Sequence, residues 1–297
     1  MQYVSMGDVT LSRIVRGFWR LTGPKAGSWN ISDEALKEMI AGCLDRGVTT
    51  FDAADVYGMG QCEVQLGRVL PAFRREDYQI VTKAGICWNH ETMSSYYDTS
   101  YDYLVSACHA ALERLNCEYI DLFLIHREDP MLDPYEAGRA LLDLKKQGLI
   151  REAGVSNFDP FKMEGLNRAM DGTLRTNQIE LHPCCFEHFN SGMTDYLTAN
   201  RIRPMIWSPL AGGKLFTSEE AAYTKARAVL EELAAKYGVS PATIVYAWLM
   251  QHPMGALPIV GGQSLARLDE AIAALDLHLD RPDWYRVYAA SGQQKIR

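Results

Sequence analysis

The chain has 297 residues, 47% of them hydrophobic and 23% charged, which is enough to bury a large core and is near the ~250 residues typical of one α/β barrel. A formal charge of -7 at pH 7, with no basic tract, excludes a sequence-independent grip on nucleic acid, which rests on clustered Lys and Arg. No stretch approaches the ~20 apolar residues that span a bilayer, so no membrane association is expected and the expected location is the cytoplasm.

Short apolar or β-branched runs alternate with amphipathic segments to the end of the chain, the pattern of strands crossing over through helices into a parallel sheet. A first strand is expected at residues 12–18. Ser32 then caps a helix carrying Leu36, Met39, Ile40 and Leu44, which Gly47 stops. Strands at 47–53 and 78–83 follow, and residues 87–100 are the longest stretch without regular pattern, a loop expected to hang over the barrel mouth. Residues 101–115 place Leu104, Val105, Cys108, Leu112 and Leu115 on one side of a helix. After a strand at 120–126, the helix at 134–146 opens with Pro134 and closes on Gly148. Strands at 150–156, 176–180 and 203–208 lead to helices at 217–237 and 241–251, a strand at 257–260, and helices at 265–277 and 282–290. Eight strands, and no G-x-G-x-x-G turn after the first, favour one closed (β/α)8 TIM barrel over an open dinucleotide-binding sheet. No linker divides residues 1–297, so a single domain is expected.

The seven cysteines, at 43, 62, 87, 108, 117, 184 and 185, form no C-x-x-C pair and have no nearby His ligand frame. Reduced thiols packed as small apolar groups are the expectation, with no metal. The strand ends carry more chemistry. Asp52, Lys83 and His126 close the second, third and fourth strands and so face one mouth, and Tyr57 lies in the next loop, which Gly58 and Gly60 help to turn. Reducing a carbonyl needs a hydride on carbon and a proton on oxygen. A free phenol, with a pKa of ~10, is a weak proton donor. A lysine ammonium beside it is expected to lower that value, Asp52 to hold Lys83, and His126 to donate a hydrogen bond to the substrate oxygen. Singly, each of these residues reads as an ordinary ion pair, packing ring or strand-end donor; it is their convergence that points to catalysis.

Five strings then bear a resemblance: F-D-A-A-D-V-Y-G over 51–58, T-K over 82–83, L-I-H ending at His126, G-V-S-N-F over 154–158 and N-Q-I-E-L-H-P over 177–183. Each is weak alone, but their ordered set resembles the aldo-keto reductases. G-F-W-R-L over 17–21 and H-R-E-D-P over 126–130 look like a bacterial oxidoreductase subgroup of that family. The resemblance implies NADPH-dependent reduction of aldehydes or ketones, with NADH as the alternative cofactor. By position it implies a catalytic tetrad of Asp52, Tyr57, Lys83 and His126, with Tyr57 as proton donor. It implies that Ser156, Asn157 and Gln178 bond the nicotinamide carboxamide and that Trp207 stacks on the ring. Ser208, Pro209, Leu210, Gly212 and Lys214 would lie along the pyrophosphate, and Gly261, Gln263, Arg267 and Glu270 would receive the adenosine end with its 2′-phosphate. The chain departs from many relatives in having Gly261 in place of Lys and Ala271 in place of Asn.

Trp19 and Trp88, with Tyr96 and Tyr97, are the candidates for a substrate pocket around a small carbonyl compound. Arg127 is expected in a salt bridge with Glu128 or Asp129 rather than facing an acidic substrate group. Two other readings compete. One is a nicotinamide-binding regulatory or redox-sensor subunit acting through a protein partner. The other is a barrel hydrolase pairing Asp52 with Glu180, which leaves the lysine and tyrosine without a task.

Overall fold

In the computed structural model, which describes residues 1–24, 27–89 and 91–296, strands β1 (Tyr3–Met6) and β2 (Val9–Ser12) pair antiparallel about a Gly7-Asp8 turn. Alternation decides which face they bury: Val4, Met6, Val9 and Leu11 point inward while Tyr3, Ser5 and Thr10 face solvent. The chain then enters β3 (Val15–Gly17), so the strand expected at 12–18 is split, its front end belonging to the hairpin.

Eight parallel strands close a barrel in the order β3, β4 (Thr50–Asp52), β5 (Gln79–Ala84), β8 (Ile120–Ile125), β9 (Ile150–Ser156), β10 (Asn177–Glu180), β11 (Met205–Trp207) and β12 (Leu257–Val260). β12 pairs back onto β3, with Val260 opposite Arg16. The remaining strands, β6 (Ile86–Asn89) and β7 (Ser94–Tyr97), form an antiparallel hairpin where an irregular loop is expected. Their side chains are mostly exposed, so no alternation of burial marks them in the sequence. At the turn Asn89 Oδ1 accepts from the N–H groups of Glu91 and Thr92; His90, inside the expected loop, lies outside the described residues.

The helices are α1 (Asp33–Asp45), α2 (Gln61–Val69), α3 (Tyr101–Leu115), α4 (Pro134–Lys146), α5 (Pro160–Ala169), α6 (Glu187–Asn190), α7 (Met193–Ala199), α8 (Lys214–Thr217), α9 (Ala221–Tyr237), α10 (Pro241–Gln251), α11 (Ala266–Ala273) and α12 (Arg281–Ala289). Ser32, Asp133 and Asp159 cap α1, α4 and α5 with side-chain oxygens, as N-cap chemistry requires. The helix expected at 217–237 is α9, which starts four residues later because Ser218 and Glu220 are extended between it and the short α8.

Two apolar layers result. Leu36, Ile40, Leu141, Leu166 and Leu230 belong to the layer between barrel and helices. Inside the barrel, Val15, Val81, Leu122, Leu124, Met205, Leu257 and Ile259 meet the inward residues of the β1–β2 hairpin, which plugs the floor. Beside that floor, buried Glu152 accepts from Arg175 Nε at 2.9 Å and from Asp8 N–H at 2.7 Å and pairs with Lys145 at 2.8 Å. With the hairpin across the floor, the C-terminal end, above Trp207, is where a barrel of this kind presents its ligand site.

Candidate active site

Asp52 is the last residue of β4, Lys83 the fifth of the six in β5, and His126 follows β8 directly, its N–H donating to Ala84 O at 2.8 Å. Tyr57 swings over the same mouth because the chain turns sharply after it. Gly58 (φ +57) has room for no side chain, since a Cβ would lie 2.4 Å from Thr22 O. Lys83 Nζ stands 2.9 Å and 3.0 Å from the two Asp52 oxygens, 2.7 Å from Ala53 O and 3.1 Å from Tyr57 Oη. Gln178 Nε2 donates to Asp52 Oδ1 at 2.8 Å, and the His126 ring stands edge-on to Tyr57 with centroids 5.8 Å apart. Asp52, Lys83 and His126 are buried, and Tyr57 is partly exposed at the mouth.

These surroundings set the charges. Burial lowers the affinity of Lys83 for its proton, but Asp52 and Tyr57 outweigh it and the ammonium is held above its ordinary pKa. Burial, assisted by the Lys83 and Arg127 charges, drops His126 well below the usual imidazole value, so the ring is neutral at pH 7. For Tyr57 the expected direction is reversed. Burial pushes the phenol up and Asp52 adds to it, and the opposing pull of the Lys83 ammonium does not prevail. The hydroxyl therefore keeps its proton at neutral pH.

Around this core, Ser156 Oγ donates to Gln178 O at 2.9 Å and accepts from Asn157 Nδ2 at 2.8 Å, while Trp207 Nε1 donates to Asn157 Oδ1 at 2.9 Å. Asn157 is left-handed (φ +60) and also donates to His126 O at 3.3 Å, tying β8, β9 and β11 together at the rim. Beyond Trp207, Ser208, Ala211, Gly212 and Gly213 are all left-handed, curling the 208–213 backbone around Pro209 and Leu210 into Lys214 at the start of α8. At the far end of the groove Gly261, Gln263 and Arg267 are exposed, and Glu270 O accepts from Thr243 Oγ1 at 3.0 Å. Trp19 and Trp88 stand half-exposed just past the C-terminal ends of β3 and β5.

A sequence model of the Aldo/keto reductase family matches residues 13–291. The chain belongs to the aldo/keto reductase family. It is 38% identical over 299 residues to the uncharacterised oxidoreductase YcsN of Bacillus subtilis, covering 98% of each chain. It is 38% identical over 295 residues to the 6-dehydroglucose reductase of Agrobacterium fabrum, covering 97% of each. The crystal structure of the thermostable aldo-keto reductase Tm1743 superposes with a TM-score of 0.82 at 26% identity, over 98% of this chain and 100% of that one. This chain is accordingly an oxidoreductase of carbonyl compounds that uses a nicotinamide cofactor.

Two backbones near this mouth carry no neighbouring side chains. Nothing stands within 4 Å of the places where Cβ atoms would sit on Gly213 and Gly261, and the Trp207 ring is half-buried. Among the described residues no group of three His, Cys, Asp or Glu side chains is placed to hold a metal ion, and no helix is long and apolar enough to cross a membrane.

Arg127 corrects an expectation. Glu128 pairs with Lys162 instead and Asp129 accepts from Thr99 Oγ1, which leaves the guanidinium 5.9 Å from the centroid of the Trp207 ring, at the mouth. Both carboxylate oxygens of Asp52 are engaged by Lys83 and Gln178, and Glu180 Oε1 lies 3.4 Å from His182 Nε2, so neither carboxylate stands free for the pairing that a hydrolase needs. Three groups escaped the sequence reading. Arg20 brings a cation to the 208–213 turn, its Nη2 being 3.9 Å from where a Cβ on Gly212 would stand. Arg16 lies buried beneath Gly262. Asp55, inside the motif that holds Asp52 and Tyr57, keeps a buried Oδ1 with no partner.

Proposed function

We propose that this reductase converts aldehydes or ketones to alcohols with NADPH, Tyr57 Oη delivering the proton. The observation that carries the reading is the Lys83 ammonium held between Asp52 and Tyr57 Oη, 3.1 Å from the latter. A reduced nicotinamide, when bound, supplies the hydride to the carbonyl carbon. Tyr57 enters the reaction protonated because burial keeps it so, and it passes its proton to the carbonyl oxygen as charge develops there. The phenolate left behind is stabilised by Lys83, which Asp52 holds in place. His126, neutral and edge-on to Tyr57, aims a ring N–H at the same oxygen without adding a second cation.

Ser156, Asn157 and Gln178 would hold the carboxamide, and Trp207 the face of the ring. The turn from Ser208 through Pro209, Leu210 and Gly212 to Lys214 would follow the pyrophosphate. Gly261, Gln263, Arg267 and Glu270 would take the adenosine end, where exposed Arg267 favours a 2′-phosphate and hence NADPH over NADH. Trp19 and Trp88 offer apolar surface to a small carbonyl compound. The 6-dehydroglucose reductase among the relatives supports a polyhydroxylated aldehyde as one such substrate. The seven thiols, unpaired in the structure, support a reducing, cytoplasmic setting.

The test pairs fluorescence titration with turnover. NADPH should quench tryptophan emission more tightly than NADH, and Tyr57→Phe should bind NADPH as the parent does while losing at least about 100-fold in carbonyl reduction. Full turnover by Tyr57→Phe would remove the proposed donor, and no binding of either nucleotide would remove the cofactor site.

A further inference from the structure

Arg16 has no place in the tetrad or the carboxamide cluster, and its surroundings are unusual. Val15 points into the barrel, so Arg16, the next residue of β3, points outward under the segment that follows β12. It has no solvent exposure. Nη2 donates to Gly262 O at 2.5 Å and lies 2.9 Å from Met39 Sδ, while Nε and Nη1 are buried without a partner. The guanidinium carbon stands 5.1 Å and 5.8 Å from the ring centroids of Trp29 and Phe18. No carboxylate lies within salt-bridge distance of it among the described residues. The titratable groups that face it are the Cys43 thiol of α1, pushed up by burial to about 11 and so neutral, the Tyr246 phenol of α10, also raised by burial, and the Arg267 guanidinium of α11.

Arg267 occupies the other side of the same peptide. A Cβ on Gly262 (φ +91) would sit 3.0 Å from both Cδ and Nη1 of Arg267, so that side chain lies across Gly262 while Arg16 holds its carbonyl from beneath. Two cations thus bracket one peptide, and among the described residues no carboxylate stands within salt-bridge distance of either. A buried cation without a counter-charge is costly, and a second cation close by raises the cost. The arrangement is complementary to an anion at the exposed 261–264 turn, where Ser264 Oγ accepts the N–H of Ala266 at the entrance to α11.

We propose that Arg16 is the buried half of the adenosine 2′-phosphate site, supplying from β3 the positive charge that Gly261 does not carry. The inference rests on the cofactor reading above and deepens it. Arg16 acts as a positioning residue: it fixes the Gly262 carbonyl, and with it the orientation of the turn, while its charge adds to that of Arg267 across a region from which water is excluded. Arg267 alone, exposed at a surface, is screened; Arg16 is not.

Calorimetric titration of the cofactor-free protein with 2′,5′-ADP, 5′-AMP and inorganic phosphate, in the parent, Arg16→Met and Arg16→Lys, tests this without turnover. The parent should prefer 2′,5′-ADP to 5′-AMP, and Arg16→Met should reduce that preference by about tenfold or more, losing more affinity for 2′,5′-ADP than for 5′-AMP. Arg16→Lys should retain part of the preference. Arg16→Met takes the donor from the Gly262 carbonyl but also removes a buried cation with two unpaired nitrogens, so the thermal midpoint of the apo variant should stay close to that of the parent. An unchanged preference in Arg16→Met, or an equal loss for 2′,5′-ADP and 5′-AMP, overturns the role of Arg16 while leaving the oxidoreductase reading intact. Binding of phosphate alone as tightly as 2′,5′-ADP would overturn it too, by making the site an anion site unrelated to adenosine. Failure of the parent to bind any nucleotide is the separate result that defeats the cofactor reading itself.

Discussion

Replacing Asp55 by Asn should stabilise the protein increasingly as pH rises from 5 to 8. The Asp55 carboxyl follows β4 by three residues and precedes Tyr57 by two, and its Oδ1 is buried with no hydrogen-bond partner. Burial first, and the Glu63 carboxylate second, push its pKa from 3.8 to about 7, against the pull of Arg114, the Val56 N–H and Lys83. The folded state therefore binds this proton more tightly than the unfolded chain does. That contribution to stability is complete below pH ~4 and is lost as pH rises through about 7. Between those limits the loss runs at ~1.4 kcal/mol per pH unit, so from pH 5 to 7 it reaches at most ~2.7 kcal/mol. Partial exposure of the residue reduces this to about 1–2 kcal/mol. Asn cannot ionise and escapes the loss. Urea unfolding of parent and variant at pH 5, 6, 7 and 8 isolates the effect, because titrating groups that do not interact with Asp55 cancel in the difference. The difference should be smallest at pH 5 and should favour the variant by about 1–2 kcal/mol more at pH 8. A difference that stays constant across the range would mean that Asp55 ionises freely and that its buried oxygen is solvated.

Lys83→Met should cost at least about 100-fold in turnover and about 3 kcal/mol in stability, because Asp52 is left buried without its cation. Single-turnover kinetics alongside NADPH titration separates the two, and near-parental turnover would refute the assigned role. Arg127→Met removes a charge that pulls the Tyr57 pKa down, so the pH at which alcohol oxidation rises should move upward; an unmoved profile would place Arg127 out of electrostatic reach. Glu152→Gln, at the opposite end of the barrel, should lower stability by about 2–4 kcal/mol, since Lys145 and Arg175 lose their shared carboxylate. Its kcat should be unchanged in steady-state assays, and a matching loss of activity would contradict the separation of floor from mouth.

The sequence was most legible where local rules act alone. Each of the eight barrel strands is an apolar run bounded by a cap or turn, and each lies where periodicity put it. Ser32, Pro134 and Gly47 mark helix ends through backbone chemistry that needs no tertiary partner. The β1–β2 hairpin was also written locally, in the alternation of Val4, Met6, Val9 and Leu11 about Gly7-Asp8, but the stronger run at 12–18 masked it by absorbing Ser12. The β6–β7 hairpin left no such trace, because a ribbon exposed on both faces has no burial period to display.

Charges were harder to read because their partners are set by folding. Strand-end position was enough to bring Asp52, Lys83 and His126 together, and the Gly58 turn carried Tyr57 to them. It could not say that burial would outweigh Lys83 in setting the Tyr57 proton, since that balance depends on how far folding desolvates the phenol. Arg127 has acidic neighbours in sequence at 128 and 129, yet Lys162 and Thr99 claim those carboxylates from other elements. Arg16 shows the same limit most sharply. One residue of register decides whether its side chain enters the barrel or turns out beneath Gly262, and that register follows only once the 12–18 run is divided between hairpin and barrel. The cations to which the sequence reading gave no task, Arg16 and Arg20, come from β3 and the loop after it, Arg16 just before the 17–21 string and Arg20 within it. If Arg16 reads the 2′-phosphate, then cofactor choice in this reductase is built partly from the first barrel strand. The positive charge that Gly261 does not carry then comes from a buried neighbour.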